Sequence, residues 1–233
     1  MQVTKREKKI TVKFFLNEAV EPVIGEGKKK HYPLYVQVTY NRKNMQFKSK
    51  YSEYYGSLDE VKPSLLRFEE KVIKSIVSYE VVNITGEYDL KGLKKKYEVY
   101  STSILEVLEH YLKPKLRLAV LKTGSELSMV LNFTDVNVTV NLLYKAAQLL
   151  FKDFDSYLSD KVKEELNAYN HYQKIYRPVL TYNFPTLIDW VDGSYRRELE
   201  KKLDETFKNK ELIKSIKSLI DHSVKEKLKG LIE

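Results

Sequence analysis

Two runs of strict alternation constrain this chain more than anything else in it. In residues 32–41, Leu34, Val36, Val38 and Tyr40 fall on one side, and Tyr35, Gln37, Thr39 and Asn41 on the other. In residues 45–51, Met45, Phe47, Ser49 and Tyr51 alternate with Gln46, Lys48 and Lys50. Period two with β-branched and aromatic enrichment predicts strands. The connection Asn41, Arg42, Lys43, Asn44 predicts a tight hairpin. With Arg42 and Lys43 at its tip, paired residue numbers sum to 85. Val38 then opposes Phe47 and Val36 opposes Ser49, while Thr39 opposes Gln46 and Gln37 opposes Lys48. A slip by one residue would mix the apolar and polar sets. Arg-Lys is a poor type I′ pair, so a longer turn is the alternative at the tip.

A third run precedes them. In residues 10–16, Ile10, Val12, Phe14 and Leu16 alternate with Thr11, Lys13 and Phe15. The expectation is a small three-stranded antiparallel sheet with unlike faces. One face is apolar and needs cover. The other shows Lys13, Gln37, Thr39, Asn41, Gln46, Lys48 and Lys50, with Phe15 and Tyr35 among them. Residues 17–30 read as a basic loop ending in Lys28, Lys29 and Lys30. The run GEGKKK lacks the spacing of a phosphate-binding loop and does not join a strand to a helix.

After the sheet the period changes to three and four. Leu65, Phe68, Val72, Ile76, Tyr79 and Val82 predict an amphipathic helix over residues 58–82, with Pro63 in its first turn. Asp89 is positioned to cap a second helix. A third is expected over residues 103–112, interrupted or kinked at Pro114. Residues 132–140 read either as a strand through Val136, Val138 and Val140 or as a cap, at Asn137 or Thr139, for a helix through Leu142, Leu143, Ala147, Leu150, Phe154 and Leu158. Further helices are expected over residues 159–170, 194–208 and 210–229, around a loop bounded by Pro178 and Pro185. The fold class is therefore α+β: a small antiparallel sheet followed by a mostly helical body. The predicted domains are residues 1–100, sheet plus helix, and residues 101–233, helical.

Charge singles out the sheet. Of the net charge of +9, residues 1–50 carry +8, from twelve Lys and Arg against four Glu. A compact basic segment is the footprint of a polyanion binder, although lysine-rich surfaces also serve solubility. Gln, Asn, Thr and Lys hydrogen-bond base edges and phosphates, and a β-ribbon fits the major groove. The other reading of the same face is an ordinary solvated sheet surface. The candidate DNA contacts are Lys13, Lys28, Lys29, Lys30, Gln37, Thr39, Arg42, Lys43, Gln46, Lys48 and Lys50. Cysteine is absent, which excludes disulfides, thiol catalysis and Cys-based zinc sites. The four histidines are scattered at positions 31, 110, 171 and 222. No apolar run spans a bilayer and no signal-peptide pattern follows the charged N-terminus, so neither membrane nor secretion is expected.

The order of elements resembles a known arrangement. A strand ending in KFFL, a basic loop, the run YPLYVQVTYNRKNMQFKSKY and a long helix broken at ITGEYDLKGLKKKY resemble the N-terminal arm-type DNA-binding domain of tyrosine recombinases, the integrases of mobile elements. The resemblance covers about residues 8–100 and rests on pattern, without an invariant motif. It implies a three-stranded sheet, followed by a helix, that docks on duplex DNA, and helices beyond position 101 likened to a core-binding domain. The family cleaves DNA with a tyrosine assisted by Arg, Lys and His, including an H-x-x-R step. Here His171, Tyr172, Gln173, Lys174 places lysine where arginine should be, and only about 60 residues follow position 170. No catalytic residue is nominated, and the expectation is a chain that does not itself cleave DNA.

Other constellations have plainer readings. His171 and Arg177 with Tyr169, Tyr172 and Tyr176 suggest base stacking, but aromatic spacing of three to four is ordinary helix packing. Asp153, Asp155, Asp160, Glu164 and Glu165 lack metal-ligand spacing, and no cofactor or metal is expected. Trp190 reads as an anchor in a core or interface. The sequons at Asn83, Asn132 and Asn137 carry little meaning without secretion. Two functional expectations remain. One is a non-catalytic, cytoplasmic DNA-binding protein of a mobile element or phage. The alternative is a structural subunit of a virion or mobile-element complex, a homo-oligomer or a partner of other assembly proteins through its sheet and helices.

Overall fold

A computed structural model describes residues 9–232 apart from 26–27, 52, 86, 127, 129–137, 177–181 and 183. The fold is α+β. An antiparallel sheet of five strands, rather than the expected three, comprises β1 (Thr11–Leu16), β2 (Val23–Ile24), β3 (Lys30–Tyr40), β4 (Lys43–Lys48) and β5 (Tyr54–Tyr55). The two additional strands are two-residue pieces on the long β3, too short to leave a periodic signal. β2 lies within the expected loop over residues 17–30, and β5 follows the last alternating run. The helices are α1 (Pro63–Asn83), α2 (Leu93–Tyr100), α3 (Ile104–Lys122), α4 (Val140–Leu150), α5 (Asp160–Ile175), α6 (Leu187–Val191), α7 (Ser194–Thr206) and α8 (Lys210–Ile232).

The described residues form two compact units. The first holds Met1–Ser101 together with Val179–Asp192, and the second holds Thr102–Pro178 with Gly193–Glu233. The first unit thus takes back a segment that the sequence reading assigned to the helical part.

In the first unit β3 is central, with β1 and β4 antiparallel on either side. The hairpin register differs from the expected one. Tyr40 pairs Lys43, Val38 pairs Met45, Val36 pairs Phe47 and Gln37 pairs Gln46, a shift of two residues. A shift of two preserves both faces, which is why alternation could not exclude it. Turn chemistry decides it. The tip is Asn41-Arg42, and both residues are left-handed, with φ of 50° and 63°. That is the requirement of a two-residue type I′ turn, and asparagine meets it more readily than Arg-Lys would.

The apolar face is covered as expected. Leu34, Val36, Val38 and Phe47 are buried with Leu65, Phe68, Val72, Ile73, Ile76 and Val77 of α1 and with Leu93 and Tyr97 of α2. Pro63 is the first residue of α1. Beneath the sheet, the fully buried Glu69 accepts a hydrogen bond from Ser49 Oγ at 2.7 Å and another from the Tyr97 hydroxyl. Asp89 does not cap α2. The N-cap is Gly92 in the left-handed region, φ 81°, and Asp89 Oδ1 instead accepts from the Lys91 backbone N–H at 3.3 Å.

In the second unit Ser103 caps α3, accepting from the Glu106 N–H at 3.1 Å. The helix runs through Pro114 without a break. The proline lies on the exposed side, while Leu112 and Leu116 on the buried side hold the turns together. Thr139 is the N-cap of α4, accepting from the Leu142 N–H at 3.3 Å, while most of the ambiguous 132–140 stretch, with Asn132 and Asn137, lies outside the described residues. α4 ends at Leu150, so Phe154 belongs to a separate short turn and Leu158 caps it. α3 packs on α4, α5 and α8. No described helix is long and apolar enough to cross a membrane.

Candidate nucleic-acid interface

The pairing stacks the polar side chains of β1, β3 and β4 in three cross-strand rows: Thr11–Thr39–Asn44, Lys13–Gln37–Gln46 and Phe15–Tyr35–Lys48. Rows two residues apart along a strand are spaced by about 7 Å. Within the rows the side chains order one another. Gln46 Nε2 donates to Gln37 Oε1 at 2.9 Å, and Thr39 Oγ1 donates to Asn44 Oδ1 at 2.6 Å. The rings of Phe15 and Tyr35 lie 5.9 Å apart, and Lys48 Nζ sits 5.0 Å from the centre of the Tyr54 ring. Lys13, Asn44, Gln46 and Lys48 are exposed, and Gln37 and Thr39 half-buried. Donors, acceptors and two cations thus stand on a rigid floor whose underside is the unit's core.

The structure brings together six of the eleven candidate residues. Lys13, Gln37, Thr39, Gln46 and Lys48 share the face, and Arg42 stands at the hairpin tip. Lys43 flanks that tip, but its ammonium pairs with Asp89 Oδ2 at 3.5 Å, which lowers its value as a phosphate contact. Asn41, expected on the face, instead forms part of the turn and donates through Nδ2 to Glu87. Lys50 is off the face. β4 ends at Lys48, and Lys50 Nζ donates to the Glu98 carbonyl of α2 at 3.2 Å. Lys28, Lys29 and Lys30 are exposed where the chain enters β3, at the opposite end of that strand from the hairpin tip. At about 3.3 Å per residue that is roughly 30 Å away. They form a separate basic patch. Lys28 is itself left-handed, φ 61°, in the turn before β3.

Asn44 is a member of the face that the sequence reading passed over. The signal was present, since residue 44 has the parity of Gln46 and Lys48. Placing Asn44 inside the turn concealed it.

The remaining sequence clusters resolve into structure. Tyr169 and Tyr172 are buried, and His171 lies edge-on to Phe207 with centroids 5.3 Å apart, so this cluster is helix packing. Arg177 lies outside the described residues. Three of the acidic residues are separately engaged. Asp155 accepts from Tyr144 at 2.7 Å, Glu164 from Ser215 at 2.6 Å, and Glu165 from Tyr111 at 3.1 Å while pairing with Lys115 at 2.5 Å. Among the described residues no group of three or more potential ligands stands together for a metal ion. Trp190 is buried in the first unit. Compared with protein-family models, curated proteins and solved structures, the chain finds no match in any of the three.

Proposed function

We propose that the first unit binds duplex DNA with the polar face of β1, β3 and β4, and that the protein acts as a non-catalytic DNA-binding component of a mobile element or phage. The observation that carries this reading is the Lys13–Gln37–Gln46 row with Lys48 beside it. A paired amide couple flanked by ammonium groups supplies base-edge hydrogen bonding and phosphate attraction on one surface. The concentration of +8 within residues 1–50 supports it, as does the resemblance to the arm-type domain. Lys28–Lys30 at the far end would grip phosphates beyond the face.

The test is fluorescence anisotropy of labelled duplex DNA with the full chain at two salt concentrations. Binding at micromolar or better should weaken steeply with salt. Replacing Lys13 and Lys48 together by Ala should lower the salt slope by about two. Replacing Gln37 and Gln46 together by Ala should reduce affinity by about tenfold or more on a preferred sequence while leaving the slope in place. No binding at low salt, or binding indifferent to both pairs, would sink the proposal.

A further inference from the structure

Helix α4 divides its circumference into three parts, as the 100° step per residue dictates. Val140, Leu143 and Ala147 form one stripe and are buried. Asn141, Tyr144, Lys145 and Gln148 form a second, which with Asn170, Gln173 and Lys174 of α5 lines a groove of about 450 Å³. Leu142, Ala146, Leu149 and Leu150 form the third. Its leucines face solvent at 58%, 87% and 45% exposure. Lys145 sits on the border between the groove and the leucine stripe. A helix that buries a third of its surface and exposes a run of leucines at i, i+7 and i+8 has an apolar face without a partner among the described residues.

The groove wall is pre-organised from below. Glu109, buried in α3, accepts from the Val140 N–H at 2.9 Å and from the Tyr169 hydroxyl. Gln173 Nε2 donates to the same hydroxyl oxygen, and Asn141 Nδ2 donates to Gln173 Oε1. Two of the groove's amides, Asn141 and Gln173, are thus fixed by a chain of hydrogen bonds that ends on a buried carboxylate. The lining itself carries two lysines and no carboxylate. Asp155, which Tyr144 and Gln148 of the lining contact, already accepts from both.

We infer that α4 and this groove dock an acidic amphipathic helix of a partner protein. Its apolar side would cover Leu142, Leu149 and Leu150, and its flanking carboxylates would meet Lys145 and Lys174. This is the helix-in-groove mode, with fixed amides lowering the cost of ordering. Nucleic acid would use the lysines and leave the leucines wet. A second copy of this chain is a poorer occupant, because three of the exposed acids on α7 and α8 are already paired: Glu198 with Lys202, Glu200 with Lys217, and Asp221 with Arg196. The inference is independent of the DNA proposal.

The experiment titrates the full chain into a fluorescein-labelled synthetic helix of about 18 residues, leucines at i, i+3, i+4 and i+7 flanked by glutamates. Its counterpart has every glutamate replaced by lysine. The acidic peptide should bind in the micromolar range and the basic one at least tenfold more weakly. Leu149→Glu and Lys145→Glu should each weaken the acidic peptide tenfold or more without moving the thermal midpoint or DNA affinity. Equal affinity for both peptides, no binding of the acidic one, or indifference to both substitutions overturns the inference. So does displacement of the peptide by a thymidine oligonucleotide whose binding falls with Lys145→Glu alone, which would make the groove a nucleic-acid contact. So does a dimer seen by light scattering that Leu149→Glu dissolves, which would make the occupant a second copy.

Discussion

Glu69 is a carboxyl group placed where water cannot reach it. Burial is the dominant effect on it and pushes its pKa above the ordinary value, against the lowering effect of hydrogen bonds from Tyr97 and Ser49. The second carboxyl oxygen has no hydrogen-bond partner among the described residues. The sign of the linkage follows. At low pH both the folded and the unfolded chain hold the proton. As pH rises past the ordinary value of 4.5, the unfolded chain releases it first and the folded chain keeps it. Stability from this group is therefore complete at low pH and is lost as pH climbs through the raised folded pKa. Glu69→Gln should remove that dependence, since the amide oxygen can still accept from Ser49 and Tyr97. Thermal midpoints of both proteins measured from pH 4.5 to pH 8 should show the wild type falling relative to the variant. Each 1 kcal/mol lost corresponds to roughly 2–8 °C. Parallel curves would mean that the site is not a buried ionisable one. The same residue also explains why Ser49, alternating with the apolar residues of its run, is tolerated beneath the sheet: it is the donor that the carboxyl requires.

The β3–β4 hairpin shows how much of an element a sequence reveals. Its existence and most of the membership of both faces were legible from period-two alternation, and its antiparallel sense from the short connection between the runs. Its register was not, since pairings summing to 83 and 85 place the same residues on the same faces. Only the backbone preference at the tip separates them, and there the informative residue was Asn41. The same limit hid Asn44 from the candidate face and left Lys50 on it. The lysines allow a second reading at this scale as well, since Lys13 on β1 and Lys48 on β4 also discourage edge-to-edge pairing of the sheet. Arg42 offers a way to separate fold from binding. It occupies the left-handed region at φ 63° with a long side chain, a conformation glycine adopts without cost. Arg42→Gly should stabilise the unit by about 0.5–1 kcal/mol, read as a higher thermal midpoint. If the tip contacts a phosphate, the same variant should lower the salt slope of DNA binding by about one. A lower midpoint would show that Arg42 contributes contacts that outweigh its backbone strain.

At the scale of the whole molecule the return of the chain to the first unit has the largest experimental consequence. Sequence periodicity describes neighbours along the chain and carries no record of which distant segment fills a gap, so a boundary near residue 101 looked sufficient. Leu187, Ile188 and Trp190 of α6 are buried, and the helix packs on α1 and α2. Asp189 pairs with Lys71 of α1 at 2.9 Å and accepts from Thr186 in a capping box. Just before the helix, the Phe184 ring lies tilted against Phe68 with centroids 4.7 Å apart, and Tyr182 and Phe184 both lie edge-on to Tyr51. Each buried apolar side chain of this size is worth about 1.5–3 kcal/mol, against a total stability of about 5–15 kcal/mol for a domain. A fragment of residues 1–101 should therefore lack a cooperative thermal transition. The same fragment joined through a flexible Gly/Ser linker to residues 179–192 should regain one, together with the near-ultraviolet circular dichroism of Trp190. A cooperative melt of residues 1–101 alone would show that α6 merely decorates a unit already stable. If the fragment fails as expected, DNA binding lost on truncation says nothing about the sheet face, because the face's floor has melted with it. Substitutions at Lys13, Gln37, Gln46 and Lys48 in the full chain leave that floor intact, so they report on the face itself.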